Sequence, residues 1–166
     1  MSKDIKIDVY NPESIKSAIG ILQNYKKQVE KSLDEIMEKF SLQGVEIAKR
    51  EYLDLTASLP PASIPSTGEL YNSIQSVYIP TLKQAIIFVD SEYAEFVEFG
   101  TGVVGANNPH PDPRFWQYDY NNHGDDGWWY FNDQKNRVVW TKGWFSRPFM
   151  YNTYQKLKEM IEDDRY

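Results

Sequence analysis

The residues best suited to chemistry in this chain are its only two histidines, each beside carboxylates: His110-Pro111-Asp112 and His123-Gly124-Asp125-Asp126. Imidazole and carboxylate together suit zinc, iron or manganese, so one reading is a metal-assisted hydrolase built on the His110/His123 loop. The spacing matches no established ligand pattern, and loops gather His, Asn and Asp for solvation; the solvated loop is the preferred reading. Glu92, Glu95 and Glu98 recur every third residue, as paired carboxylates for glycoside chemistry do. On a short helix that spacing more often makes a solvated face or the rim of an interface. Gly100-Thr101-Gly102-Val103-Val104-Gly105 has glycines but no following Lys-Ser/Thr, so it is no P-loop, and it lacks the full dinucleotide fingerprint. No histidine is placed to make a serine triad recognisable, and the chain has no cysteine. Catalysis has no positive support, and neither a cofactor nor a metal is expected.

The elements that position these residues are more telling. Tyr93-Ala94-Glu95-Phe96-Val97-Glu98-Phe99-Gly100-Thr101-Gly102 follows a strand-like run, Ala85 to Val89. It reads as a short helix, with Asp90 or Ser91 as N-cap and Tyr93, Phe96 and Val97 on one face. Gly100 is expected to end that helix in a left-handed conformation that glycine reaches cheaply. Such a segment is built to dock, either within one subunit or between two.

Upstream, Asn11-Pro12-Glu13 reads as a cap and first turn. Apolar residues then fall in steps of three and four from Ile15 to Phe40, against a face of Lys and Glu. Gly44 could interrupt the helix or let it run on to about residue 57. A helix of about 40 residues spans roughly 60 Å, more than a compact domain of this size covers, so part of it should pack on something else, most simply another copy. Residues 59–66 form a proline-rich connector. Ile74–Ile79 and Lys83–Val89 read as antiparallel strands, and residues 103–127 as a long irregular stretch. Trp128–Phe131 and Arg137–Trp140 read as an aromatic hairpin. Ser146 is expected to cap a last helix over about 147–163, with Pro148 in its first turn. Ile5, Ile7 and Val9 alternate loosely, as in a strand or arm. The order predicts one α+β domain over 1–166, with the helix over about 12–57 and the sheet and loop region over about 67–145.

Composition bounds the partners. Of 166 residues, 15% are aromatic, with 5 Trp and 12 Tyr, a surplus that suits an extensive interface. The net charge of −6 makes a poor grip on nucleic-acid phosphates but suits a passage along which DNA slides. No apolar run approaches the roughly 18 residues of a membrane span, so no membrane is expected as a partner. Trp116, Trp128, Trp129, Trp140 and Trp144 could also serve a sugar- or peptide-binding module.

Three stretches in this order resemble a known family. Thr67-Gly68-Glu69-Leu70-Tyr71-Asn72-Ser73-Ile74 is similar to a "T-G-x-L-x-x-S-I" element. Tyr93 to Gly102 is similar to "Y-A-x-x-V-E-x-G-T-G", and Arg147-Pro148-Phe149-Met150 to a closing "P-F" element. Together they resemble the tailed-phage morphogenesis family named for gene product ten of the HK-ninety-seven phage. Two departures stand out: Tyr151-Asn152-Thr153 replaces a customary Pro-Ala, and the stretch from Val103 to Thr141 is longer and more aromatic. The resemblance implies a non-enzymatic virion protein, a neck or tail-completion ring subunit at the head–tail junction, or else a tail-terminator-like or minor tail protein. It implies a closed ring of itself, a hexamer or dodecamer, assembled in the host cytoplasm. Adjacent head-closure and tail-terminator or tail-tube proteins would be its partners, and DNA would pass through the lumen without sequence-specific binding. The residues expected to fix the fold or the subunit contact are Tyr93, Phe96, Glu98, Phe99, Gly100, Thr101 and Gly102. Trp128, Trp129, Trp140 and Trp144 join them from the aromatic hairpin and its flank, and Pro148 and Phe149 from the last helix.

Overall fold

The structure, a computed structural model, describes residues 6–57, 68–112, 114, 126–132 and 135–163. The chain is α+β. Helix α1 (Pro12–Ala57) is followed by α2 (Glu69–Ser73) and the strands β1 (Ile74–Ile79) and β2 (Gln84–Val89). Then come α3 (Ala94–Phe99), α4 (Gly102–Asn107), β3 (Trp128–Asn132), β4 (Arg137–Thr141) and α5 (Phe149–Glu162). The strands make two separate antiparallel hairpins, β1–β2 and β3–β4.

Helix α1 starts as its sequence dictates: the Asn11 side chain accepts the Glu13 amide at 3.0 Å, with Pro12 in the first turn. It then runs 46 residues without a break, about 69 Å at 1.5 Å per residue. Gly44 does not interrupt it. A Cβ there would collide with the Ile87 side chain and touch Leu157, so the glycine lets β2 and α5 close onto the helix. Residues 6–10 form no strand; the chain turns there, with the Asn11 amide donating to the Asp8 carbonyl. The proline-rich connector lies outside the described residues.

The core sits where the second half of α1 meets α2, β1 and α5. Ala48, Leu70, Ile74 and Phe149 are buried, with Val45, Tyr52, Val89 and Val97 packed around them. The Tyr52 and Phe149 rings meet edge to face at 5.6 Å. One face of the β1–β2 hairpin lies on α1. The other is open: Val77 and Ile86, directly paired, are exposed together with Phe88.

The turn between these strands carries a correction at Lys83. It is not a strand residue; its φ of 52° puts it in the left-handed region, and β2 begins one residue later. From there its amine reaches Asp34 of α1 at 2.6 Å, and the Tyr78 hydroxyl donates to the same carboxylate. The lysine and then the tyrosine hold the Asp34 pKa below its ordinary range. Burial, and then the Asp34 carboxylate, push the Tyr78 hydroxyl up to about 12. The hairpin tip is thereby pinned to α1.

Candidate functional site, a buried carboxylate that clasps the last helix

Helix α3 has no side-chain cap. Asp90 and Ser91 do not serve as one: the Asp90 amide continues the sheet by donating to the Ser73 carbonyl, and the Ser91 carbonyl accepts the Ala94 amide. The helix stops at Gly100, whose φ of 76° is as expected; its ψ of 173° makes the residue extended rather than left-handed helical, a region essentially reserved for glycine. A Cβ at Gly100 would lie 2.6 Å from the Ser146 nitrogen and 2.7 Å from the Trp144 carbonyl oxygen. Glycine is needed twice over, for conformation and for space.

This stop leaves Glu98 facing inward. The side chain read as solvated or as interface rim is 7% exposed, whereas Glu92 and Glu95 of the same series are exposed. Its Oε2 accepts the Met150 amide at 2.9 Å, and its Oε1 accepts the Tyr151 amide at 2.9 Å. These are first-turn donors of α5, which have no partner within their own helix, and a negative charge there also favours the helix dipole. Ser146 is therefore not the cap of α5. Its hydroxyl donates to the Glu98 carbonyl at 2.6 Å, and Pro148 takes the cap position without a side-chain bond.

His110 completes the clasp. Its Nδ1 accepts the Asp112 amide at 3.1 Å, which assigns the proton to Nε2, and Nε2 donates to Glu98 Oε1 at 3.1 Å. The imidazole lies between the Phe99 ring, at 5.0 Å, and the Tyr151 ring, at 5.2 Å. Asp112 is held in turn by a bidentate contact from the Arg114 guanidinium, with Nη2 at 2.6 Å, and by the Arg114 amide at 3.0 Å. Those bonds lower the Asp112 pKa to about 2. Both oxygens of Glu98 and both nitrogens of His110 are engaged by the chain itself. Among the described residues, no group of three or more His, Cys, Asp or Glu side chains is arranged to hold a metal. His123 and Trp116 lie outside the described residues.

Backbone contacts extend the clasp on either side. The Arg147 amide donates to the Val97 carbonyl at 2.9 Å, and Thr101 forms an antiparallel bridge with Trp144. The stretch after Gly102 is not wholly irregular. Thr101 and Lys142 carbonyls accept the Gly105 and Val104 amides and start α4, a short helix that its glycines and β-branched valines do not announce. Gly102, with φ 58°, lies under the Trp128 ring, where a Cβ would come within 2.6 Å.

The other singled-out residues divide into core and surface. The Tyr93 hydroxyl accepts the Leu70 amide at 3.1 Å, tying α3 to α2, while Phe96 and Phe99 are half-buried. Phe149 is wholly buried and Thr101 nearly so. Trp144 lies over the buried Arg147 guanidinium at 5.3 Å, and Phe145 at 5.1 Å. Burial lowers the Arg147 pKa, and among the described residues its Nε and Nη2 have no hydrogen-bond partner. Trp129 and Trp140 face outward, stacked edge to face at 5.2 Å and exposed with Phe131 and Val138. A pocket of about 460 Å³ opens beside the clasp, walled by Phe99, Met150, Tyr151 and Tyr154.

The three sequence stretches, 68–74, 93–102 and 147–150, thus meet in one place. The Glu98 carboxylate and the Val97 carbonyl join the second to the third. No family model, no curated protein and no solved structure matches this chain.

Proposed function

We propose that this chain is a structural subunit of a tailed-phage virion, a neck or tail-completion ring subunit at the head–tail junction through which DNA passes. The observation that carries this reading is the number of apolar faces left exposed among the described residues. The first half of α1 stands clear of the core: between Pro12 and Leu33 every residue but Ser14, Ala18 and Gly20 is exposed, with an apolar stripe among them. The outer faces of both hairpins add Val77, Ile86 and Phe88, and Trp129 and Trp140. Apolar surface exposed on three separate elements suits a subunit that contacts copies of itself and further proteins. The meeting of the three family-like stretches, the first with the others through Tyr93 and Phe149 and the second with the third through Glu98, supports the same reading. The net charge of −6 suits a lumen that DNA traverses without sticking.

Mass spectrometry of purified particles, with labelled imaging of the head–tail junction, tests the proposal. The chain is expected at a fixed copy number at the neck. Label at the tail tip or along the tube would instead support the minor-tail reading. Absence from particles would overturn the virion reading. For the hydrolase alternative, elemental analysis is decisive: stoichiometric zinc, iron or manganese, lost in a His110→Ala/His123→Ala variant, would revive it.

A further inference from the structure

The exposed stripe on α1 has a stricter period than amphipathicity requires. Ile15, Leu22, Val29 and Ile36 repeat every seven residues. Ile19, Lys26, Leu33 and Phe40 repeat every seven in the alternate register, four residues on. The stripe therefore alternates steps of four and three over almost four heptads, with one polar member, Lys26. A period of 3.5 residues keeps a straight seam on a slightly supercoiled helix and fits its side chains into the holes of another helix, not onto a sheet. From Ile15 to Ile36 the apolar members are 38–53% exposed. Among the described residues the next-longest helix is α5, at 14 residues, so α1 has no equal within its own chain.

We propose that residues 15–40 pair antiparallel with the same segment of a second copy. In a parallel pair both Lys26 amines would meet in the core. An antiparallel pair in full overlap sets Ile15 against Phe40, Ile19 against Ile36, Leu22 against Leu33 and Lys26 against Val29. That alignment places each Lys26 beside Glu30 of the other copy, giving two symmetric ion pairs. Lys26 and Glu30 already lie 3.7 Å apart within one helix, so each needs only a rotamer change to reach across. No like charges face each other across the flanks, which would pair Gln23 with Glu30, Lys16 with Met37 and Ala18 with Lys39. The two seams together remove on the order of 1,000 Å² from water, the lower bound for a specific interface. The contact is two-fold and self-complementary, and it stands whether or not the chain belongs to a virion.

Because the chain has no cysteine, crosslinking can read the geometry directly. On oxidation of the full-length protein, an equimolar mixture of Leu22→Cys and Leu33→Cys variants should give a disulfide-linked dimer, while neither variant links to itself. In sedimentation, Lys26→Glu should weaken the dimer at least tenfold, and Lys26→Glu/Glu30→Lys should restore it. Lys26→Ile should tighten it at least tenfold. Unchanged melting of the variants would show that the core, which engages α1 from Asp34 onward, is intact. Self-linking of Leu22→Cys would overturn the antiparallel pair, and a protein monomeric at hundreds of micromolar would overturn the contact altogether.

Discussion

Glu98 does at the residue scale what a chain of hydrogen bonds usually needs several side chains to do. It occupies the first-turn donors of α5, orients His110 and, through its own carbonyl, fixes Ser146. Replacing it with Ala leaves two helix amides and an imidazole N–H buried without acceptors. Glu98→Ala should cost about 3 kcal/mol in chemical denaturation, and Glu98→Gln, which retains one acceptor, about half of that. The acid response has its own residues. Asp34 and Asp112 both have folded pKa values below the ordinary 3.8, Asp112 at about 2. Their contribution is therefore present above pH 4 and is lost as pH falls toward 2. Denaturation midpoints measured from pH 5 to 2 should decline, and Asp34→Asn/Asp112→Asn should flatten that decline. Glu98 was hard to read in the sequence because spacing alone makes it one of three equivalent glutamates. What sets it apart is the motif of the family resemblance, in which Glu98 is the fixed glutamate between Val97 and Phe99 and Gly100 follows.

Among the elements, α1 was legible as far as Phe40, where its cap, its first-turn proline and its apolar period agree; its run past Gly44 was one of two open readings, which packing against Ile87 and Leu157 decides. Both hairpins were legible for the same reason, apart from Lys83, whose left-handed backbone serves the contact with Asp34. Helix α4 was not, because Gly-Val-Val-Gly-Ala-Asn has little helical preference; contacts with Thr101 and Lys142 impose it. The cap of α5 was missed because it comes from a residue some 50 positions away, a distance no local signal spans. Two substitutions follow. Gly100→Ala should destabilise the fold by about 3 kcal/mol in denaturant, since it adds positive-φ strain to a backbone collision. Gly20 lies in α1 with nothing within 4 Å of a built Cβ. Gly20→Ala should protect that stretch from hydrogen exchange by about 1 kcal/mol.

For the whole molecule, much of the exposed apolar surface lies away from the core, though Leu42, Leu53, Tyr154 and Ile161 are exposed on the core-bearing helices and Ala18 is buried in the first half of α1. The core gathers around Ala48, Leu70, Ile74 and Phe149, whereas the first half of α1 and the outer hairpin faces stay bare. Trp129→Ser should then leave stability within about 0.5 kcal/mol; on the proposed virion reading it should also lower incorporation into particles, measured by quantitative mass spectrometry. Composition announced this division only in part: an aromatic share of 15% is equally a core or a surface until the fold sorts its members. The bridge between Thr101 and Trp144 has a consequence of another kind. Thr101 and Trp144, some forty residues apart in the chain, lie side by side, with Gly143 packed against Gly102. The first part of the stretch between them stays in the core, since His110 donates to Glu98 and packs between Phe99 and Tyr151. A change of length or a spliced segment beyond Arg114 should therefore leave both ends held, one through the His110–Glu98 bond and the other through the bridge at Trp144.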